Sequence, residues 1–187
     1  MVELDNFSVS NNFRTDVKGK GKFAENDFIN YFNNNPQNRY KKLFDVRENK
    51  DYQDNDIDFV IDNEGGNELP DVDTVFSNKK RYIKVEVKYS GPAYKTRRYA
   101  FEMISHSNFG WGYKTKCDYI YTTLIRDYKK DPYDIAARGI IDFKKWEKFI
   151  SNRNNRREIY VNKDENIIVN IMTYLDDMEK NGIISYV

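Results

Sequence analysis

The stretch RYIKVEVKY, residues 81–89, decides how the fold is interpreted, because apolar and polar side chains alternate strictly along it. Its apolar set comprises Ile83, Val85 and Val87. Alternation with a period of two is typical of a β-strand with one face in the core, since successive side chains of a strand point to opposite sides. Glu86 and Lys88 then project side by side from the polar face, about 7 Å apart along the strand.

Other stretches on either side of this strand also have a clear period. Residues 56–62, DIDFVID, alternate in the same way, and residues 22–34 carry aromatic side chains at helical spacing. The remaining predicted elements are strands over 42–46, 98–104, 117–125 and 139–143, a helix over 146–150, and a helix over 167–178. The β-branched residues of that last stretch weaken its helical assignment.

A chain of 187 residues predicts one domain with a core of its own. We expect residues 1–21 to form a flexible basic N-terminal segment, ending in alternating lysines and glycines. Residues 22–187 then form a single α/β domain, with its core in 22–125 and a C-terminal elaboration in 126–187.

The composition excludes several classes of protein. Lysine and arginine number 31 against 30 acidic residues, so any nucleic-acid-binding surface must be local. An aromatic content of 16% opposes disorder. A single cysteine excludes a disulfide scaffold, and a single histidine opposes a zinc cluster. We find neither a membrane-spanning apolar run nor a signal sequence, and therefore expect a cytoplasmic protein without membrane partners.

The predicted elements carry charged residues suited to metal-assisted phosphodiester hydrolysis. Glu25 lies in the first turn of the predicted helix, Asp58 on one strand, and Glu86 and Lys88 on another. If the two strands are neighbours, the Asp58 and Glu86 carboxylates and the carbonyl of Val87 supply the oxygen ligands that Mg²⁺ prefers. Lys88 would orient a metal-bound water or stabilise developing negative charge. Glu25 would bind a second metal or hold a metal-bound water.

The ordered series of Glu25, Asp58 and Glu86-Val87-Lys88 resembles the PD-(D/E)xK nuclease superfamily. That superfamily includes type II restriction enzymes, Holliday-junction resolvases and small phage nucleases. The likeness covers roughly residues 20–125 and implies a restriction-endonuclease-like αβββαβ core, with a central mixed sheet flanked by helices and its fourth strand in 117–124. It also implies Mg²⁺ or Mn²⁺ as cofactor, DNA as substrate and a 5′-phosphate product. TRRYAFEM followed by GWG is similar to small phage nucleases.

Two features depart from the superfamily pattern. The aspartate usually follows a proline or glycine turn, whereas here Asp54-Asn55-Asp56 precedes it, so Asp56 is a second candidate ligand. The superfamily also has a helix between the E-x-K strand and the fourth strand, whereas residues 90–116 look partly β. Glu102, in the middle of this region, is a further candidate for the same patch.

A basic set beside the E-x-K strand supplies candidate phosphate contacts. These candidates are Lys84, Lys95, Arg97 and Arg98, with Lys20 and Lys22 as a second arm. Each feature also has a plainer explanation. Glu86 and Lys88 would make an ion pair on an exposed strand. Glu25 would be a carboxylate that the helix dipole stabilises in the first turn. The basic residues would keep the surface hydrated. Trp111, between two glycines, would stack on a base or close a loop over the core.

The sequence therefore predicts a divalent-metal-dependent DNA nuclease that acts as an endonuclease in the cytoplasm, which would be the host cytoplasm if the chain is encoded by a phage. Symmetric cleavage of both strands would require a homodimer. One alternative is a catalytically inactive nuclease-fold protein that binds DNA or a host protein. A second alternative is an interaction domain whose tyrosine-rich surface binds protein.

Overall fold

The computed structural model describes residues 13–64, 81–105, 108–163 and 166–187. Its helices are α1 (Phe13–Asn34), α2 (Lys50–Gln53), α3 (Ala93–Thr96), α4 (Trp111–Lys114), α5 (Phe143–Ser151) and α6 (Leu175–Lys180). Its strands are β1 (Lys42–Asp45), β2 (Phe59–Asp62), β3 (Tyr82–Ser90), β4 (Arg98–Ser105), β5 (Asn108–Phe109), β6 (Tyr119–Asp127), β7 (Asp131–Asp142), β8 (Arg157–Lys163), β9 (Asn166–Tyr174) and β10 (Ile184–Tyr186).

The central sheet has six strands in the order β1-β2-β3-β6-β7-β10. All neighbours pair antiparallel except β3 and β6, which pair parallel with Glu86 opposite Ile120 and Lys88 opposite Thr122. The predicted mixed α/β class is therefore confirmed. The strand carrying Glu86 and Lys88 lies in the middle of this sheet, with neighbours on both edges.

A second sheet of four strands has the order β5-β4-β9-β8. Strands β4 and β5 of this sheet come from the connection between β3 and β6, and strands β8 and β9 come from the C-terminal third. The two parts meet where β4 pairs antiparallel with β9. Strand β4 confirms the strand predicted over 98–104. The predicted β character of the region 90–116 is present, together with the short helices α3 and α4.

The two faces of the central sheet pack against different elements. On one face, Val85 and Val87 of β3 pack with Ala24 and Phe28 of α1 and with Phe59 of β2. On the other face, residues of β6 and β7 pack with the second sheet and with helices α5 and α6. The largest buried members of that second cluster are Tyr99, Phe101, Ile120, Leu124, Ile141, Trp146, Ile171, Leu175 and Met178.

Helix α1 confirms the helix predicted over 22–34 and begins earlier than predicted, at Phe13. The part of the predicted flexible segment that lies within the described residues is therefore helical, while residues 1–12 lie outside the described ranges. Ala24, Phe28 and Phe32 recur every four residues and are buried. This spacing places one stripe of the helix on the sheet.

The prediction for residues 167–178 was wrong. Residues 166–174 form strand β9, and the helix that follows is confined to Leu175–Lys180. Val169 and Ile171 are buried, so the β-branched side chains pack as strand residues of a half-buried sheet. The predicted strand over 139–143 is the end of the longer strand β7, and α5 confirms the helix through residues 146–150.

Within the described ranges, none of the helices combines the length and the apolar character that crossing a membrane requires.

Candidate functional site

Glu86 and Lys88 lie side by side on the face of β3 that points away from α1, as the alternation predicts. The Glu86 side chain is only 3% exposed and that of Lys88 is 26% exposed, and the Lys88 ammonium forms an ion pair with Glu86 Oε1. The Lys88 Nζ also lies 4.9 Å from the centre of the Trp111 ring. A carboxylate and an ammonium are thus held together under an aromatic cover, where water screens their charges poorly.

Asp58 lies at the edge of β3, at the point where strand β2 begins. Its backbone N–H donates to the Val85 carbonyl at 3.1 Å, and its carboxylate Oδ2 accepts from the Val87 N–H at 2.8 Å. The Asp58 carboxylate thus takes the place of a strand carbonyl. The N–H and C=O of one strand residue point to the same side, so the Val87 carbonyl also faces this edge.

The strand predicted over 56–62 is shorter than expected, because the backbone turns at Asp56. Asp56 has φ +46° and β2 begins only at Phe59. The left-handed conformation is one that aspartate tolerates better than most residues. The Thr115 hydroxyl holds the turn by donating to the Asp56 carbonyl at 3.0 Å. The turn brings a second aspartate beside the E-x-K strand instead of placing it in regular alternation with Asp58.

The charges of these residues act on one another. Burial raises the pKa of Glu86 from 4.5 to about 8, and the nearby Asp58 and Asp56 charges add to that effect against the attraction of Lys88. Burial also raises the pKa of Asp58, an effect that the Val87 N–H and Lys88 reduce and Glu25 increases. For Lys88, burial alone would lower the pKa, but the neighbouring carboxylates outweigh it and the net shift is upward.

Two buried carboxylate oxygens at this site have no hydrogen-bond partner among the described residues. These oxygens are Glu86 Oε2 and Asp56 Oδ2. A buried acceptor without a partner is costly, and native structures rarely leave one unless a bound ion, water or function explains it. Both orphan oxygens belong to acids whose pKa burial raises. The site therefore has unused acceptor capacity of the kind that a hard cation takes up.

The donor set fits a divalent cation that keeps several waters. Across the described residues, no three acidic, histidine or cysteine side chains already converge as a ready-made metal cage. Mg²⁺ is commonly held by only one or two carboxylates, with water and substrate phosphate completing its shell. Asp58 and Glu86 would supply those carboxylates, and the Val87 carbonyl faces the same edge of β3.

Glu25 lies on the α1 side of the sheet, opposite the face that carries Glu86. Its carboxylate pairs with Arg47, which also binds Asp45 Oδ1 at 2.8 Å and covers the Phe59 ring at 5.1 Å. Glu25 nevertheless raises the pKa of Asp58, so the two carboxylates are within electrostatic reach. The structure brings Glu25 near Asp58, but the Glu25 carboxylate is already paired with the Arg47 guanidinium, a partner that the sequence did not predict. No motif marks Arg47 in the sequence.

Two predicted site residues do not have the surroundings that their assignments require. Lys84 is 4% exposed, and its burial lowers the pKa of the ammonium, so its assignment as a surface phosphate contact is corrected. Glu102 lies on the face of β4 opposite to Tyr99 and Phe101, which point into the core. It therefore does not border Glu86, and its predicted place in the same patch is also corrected.

The other basic candidates are spread over several surfaces. Arg97 binds Asp176 at 2.6 Å and also pairs with Glu179, which ties it to helix α6. Lys95 lies 3.6 Å from Asp127, and Arg98 covers the Tyr174 ring at 5.5 Å. On α1, Lys20 lies 5.9 Å from the Tyr89 ring centre, and Lys22 is exposed. Lys95, Arg98 and Lys22 retain enough exposure for phosphate contacts.

Comparisons of the chain with protein-family models, with curated proteins and with solved structures found no match. The functional conclusion therefore depends on the geometry and chemistry of the residues described above.

Proposed function

We propose that the chain is a divalent-metal-dependent nuclease that hydrolyses DNA phosphodiester bonds. The observation that carries this proposal is the buried Glu86 carboxylate, which has one oxygen on Lys88 and the other without a partner beside Asp58. A purely structural ion pair between Glu86 and Lys88 gives no reason to place the carboxylates of Asp58 and Asp56 beside it, because each desolvated carboxylate adds repulsion.

The order of the elements supports the resemblance to the PD-(D/E)xK superfamily. One helix is followed by three antiparallel strands, and a later strand lies parallel beside the third. This order agrees with an αβββαβ core in which Asp58 directly precedes the second strand and Glu86 and Lys88 lie on the third. The connection from β3 to β6 departs from that core, because it holds two short helices and strands of the second sheet.

Hydrolysis would add water across one P–O bond and leave a 5′-phosphate and a 3′-hydroxyl, as the resemblance implies. A bound Mg²⁺ or Mn²⁺ would acidify the attacking water and offset the charge on the phosphate. The Asp58 and Glu86 carboxylates would hold the cation at the edge of β3. Lys88 stays protonated because its pKa is raised, so it donates to the attacking water or to a phosphate oxygen rather than removing a proton.

Cleavage assays on linear, nicked, flapped and four-way DNA test this proposal. Asp58→Asn, Glu86→Gln and Lys88→Ala should each abolish metal-dependent cleavage while the chain still folds. Glu25→Gln should reduce cleavage only about 10–100-fold, as expected of a residue that acts through Asp58 rather than on the cation. Glu102→Gln is the matched control, since this glutamate lies on the other face of β4. Undiminished cleavage by the first three variants would refute the assignment.

A thermal-shift measurement with Mn²⁺ separates the nuclease from an inactive nuclease-fold binding protein. A cation that binds only the folded state raises the melting temperature as its concentration rises. We expect such a shift for wild type and for Glu102→Gln, and none for Glu86→Gln. If wild type and Glu86→Gln show the same response to Mn²⁺, the binding-protein alternative is favoured.

A further inference from the structure

Two exposed aromatic rings stack on each other near the candidate site. The ring centres of Phe109 and Tyr113 are 4.3 Å apart and their planes differ by 12°, while the residues are 58% and 56% exposed. We call this pair the aromatic platform. Packing against each other hides one face of each ring, and their exposure leaves further ring surface in water. Ring faces that remain in water are available to a third aromatic group.

The platform is held firmly on strand β4 by the two glycines that flank Trp111. A Cβ on Gly110 would lie 2.4 Å from the Glu102 carbonyl oxygen, and a Cβ on Gly112 would lie 3.1 Å from the same atom. The Gly110 N–H also donates to the Met103 carbonyl at 2.9 Å. A side chain at Gly110 would collide with this backbone, and one at Gly112 would be a tight fit, so the segment packs closely on β4 and holds the two rings at the sheet edge.

Trp111 joins the platform to the charged site. Its own ring packs on Phe101 at 5.5 Å and covers Lys88, so it closes the core instead of offering a face to a ligand. The neighbouring Lys114 is exposed, and its charge acts against the burial that raises the pKa of Asp56. Lys116 is exposed as well, and its N–H donates to the Asn55 carbonyl at 3.0 Å. Exposed cations thus follow the platform directly in the sequence, and the charge of one of them reaches Asp56.

We propose that the aromatic platform binds an unpaired base of the DNA strand whose backbone reaches Lys88. This inference rests on the proposed function and names its substrate class as DNA with a single-stranded segment. Exposed rings interleaved with lysines are the combination that single-strand binding uses, because bases stack on the rings while the cations follow the phosphates. A paired base inside a duplex has both faces covered by its neighbours and cannot join the stack.

Binding measured by fluorescence anisotropy in EDTA tests the platform without any cleavage. The probes are an oligothymidine, the same strand with abasic spacers, and a blunt duplex of equal length. The double variant Phe109→Ala/Tyr113→Ala should lose roughly 5–150-fold in affinity for oligothymidine. Its affinity for the abasic strand and for the duplex should stay within about twofold of wild type, since these probes offer the platform no free base.

Tyr160→Ala is the matched control, because Tyr160 is 67% exposed at the opposite edge of the same sheet. It should bind every probe as wild type does. A double variant that folds and binds oligothymidine like wild type overturns the platform proposal and favours a protein contact at these rings. In that case retained Mg²⁺-dependent cleavage by wild type would leave the proposed function intact. A wild-type chain that binds no single strand overturns the platform as well, and absent cleavage would then remove the nuclease proposal separately.

Discussion

Glu86 carries a carboxylate where ionisation is unfavourable. It is buried beside two aspartates whose charges raise its pKa, and only one of its oxygens has a partner. Lys88 reduces this cost without removing it. The residue therefore stores unfavourable free energy in the metal-free chain, and a bound cation is the most direct way to release it.

We predict that Glu86 makes the metal-free chain less stable as pH rises. The folded state keeps a proton on Glu86 up to a pKa of about 8, whereas the unfolded state releases it near 4.5. Between these values the folded state binds more protons than the unfolded state, so the free energy of unfolding falls as pH increases. Urea denaturation in EDTA at several pH values should show this fall in wild type and a flatter profile in Glu86→Gln.

Parallel pH profiles for the two proteins would contradict this prediction. Glu102→Gln serves as the control and should follow wild type. The raised pKa of Asp58 acts in the same direction, so the Glu86→Gln profile is expected to retain part of the slope.

The sequence was sufficient to pair Glu86 with Lys88, because a period of two fixes which side chains share a face. It left open whether the strand next to Asp58 lies beside this one, and the pairing of β2 with β3 meets that condition. The burial of Glu86 could not be predicted, since Tyr99 and Cys117, which come near it in the fold, belong to other segments of the chain. The turn at Asp56 was missed for a different reason, because alternation continues through it in the sequence and breaks only in the backbone.

At the scale of elements, helix α1 contains two glycines that the packing does not require. A Cβ on Gly21 would meet nothing within 4 Å, and one on Gly19 would only touch the Tyr133 hydroxyl at 3.9 Å. Because of these glycines, the sequence predicted that the helix begins only at residue 22. The helix continues to Phe13 nonetheless, because contacts such as that between Phe23 and Tyr133, at 4.9 Å, stabilise its first half.

We predict that Gly21→Ala stabilises the chain by about 0.5–1 kcal/mol. Alanine restricts the unfolded backbone and fits the helical conformation without any contact to displace. Chemical denaturation measures the change. Gly110→Ala is the opposing control and should destabilise by about 1–3 kcal/mol, because its Cβ collides with the backbone of Glu102. A loss of stability in Gly21→Ala would show that α1 bends at this position.

In residues 166–180 the local sequence pattern predicted the wrong secondary structure. Apolar residues there fit a helix by spacing, yet Val169 and Ile171 lie on strand β9 against β4. Of the neighbours of β9, strand β8 directly precedes it, whereas β4 is about 70 residues away in the sequence. A local window holds no information about β4, and the β-branched residues were the local evidence that favoured a strand.

At the scale of the whole molecule, one hydrophobic cluster joins both sheets. Trp146 on α5 stacks on Phe101 of the second sheet at 3.7 Å, and its ring N–H donates to the Thr173 hydroxyl at 3.0 Å. The same cluster contains Ile120 and Ile141 of the central sheet. The two sheets consequently share one core and are expected to unfold together.

We predict that Trp146→Ala destabilises the chain by about 3–5 kcal/mol and that unfolding remains a single transition. The substitution removes a fully buried ring and leaves a cavity between the sheets. Circular dichroism and the fluorescence of the remaining Trp111 should give the same midpoint in urea. Tyr160→Ala, on the exposed face, should change stability by less than about 0.5 kcal/mol. Separate midpoints would show that the sheets form independent units.

The pairing of β4 with β9 has a consequence for how the protein matures on the ribosome. Strand β4 carries the connection that positions Trp111 over Lys88, yet its long neighbour is made only after residue 166 has been synthesised. Until then, among the described strands, β4 has only the two-residue strand β5 beside it. A nascent chain would therefore have its acidic residues in place before their aromatic cover.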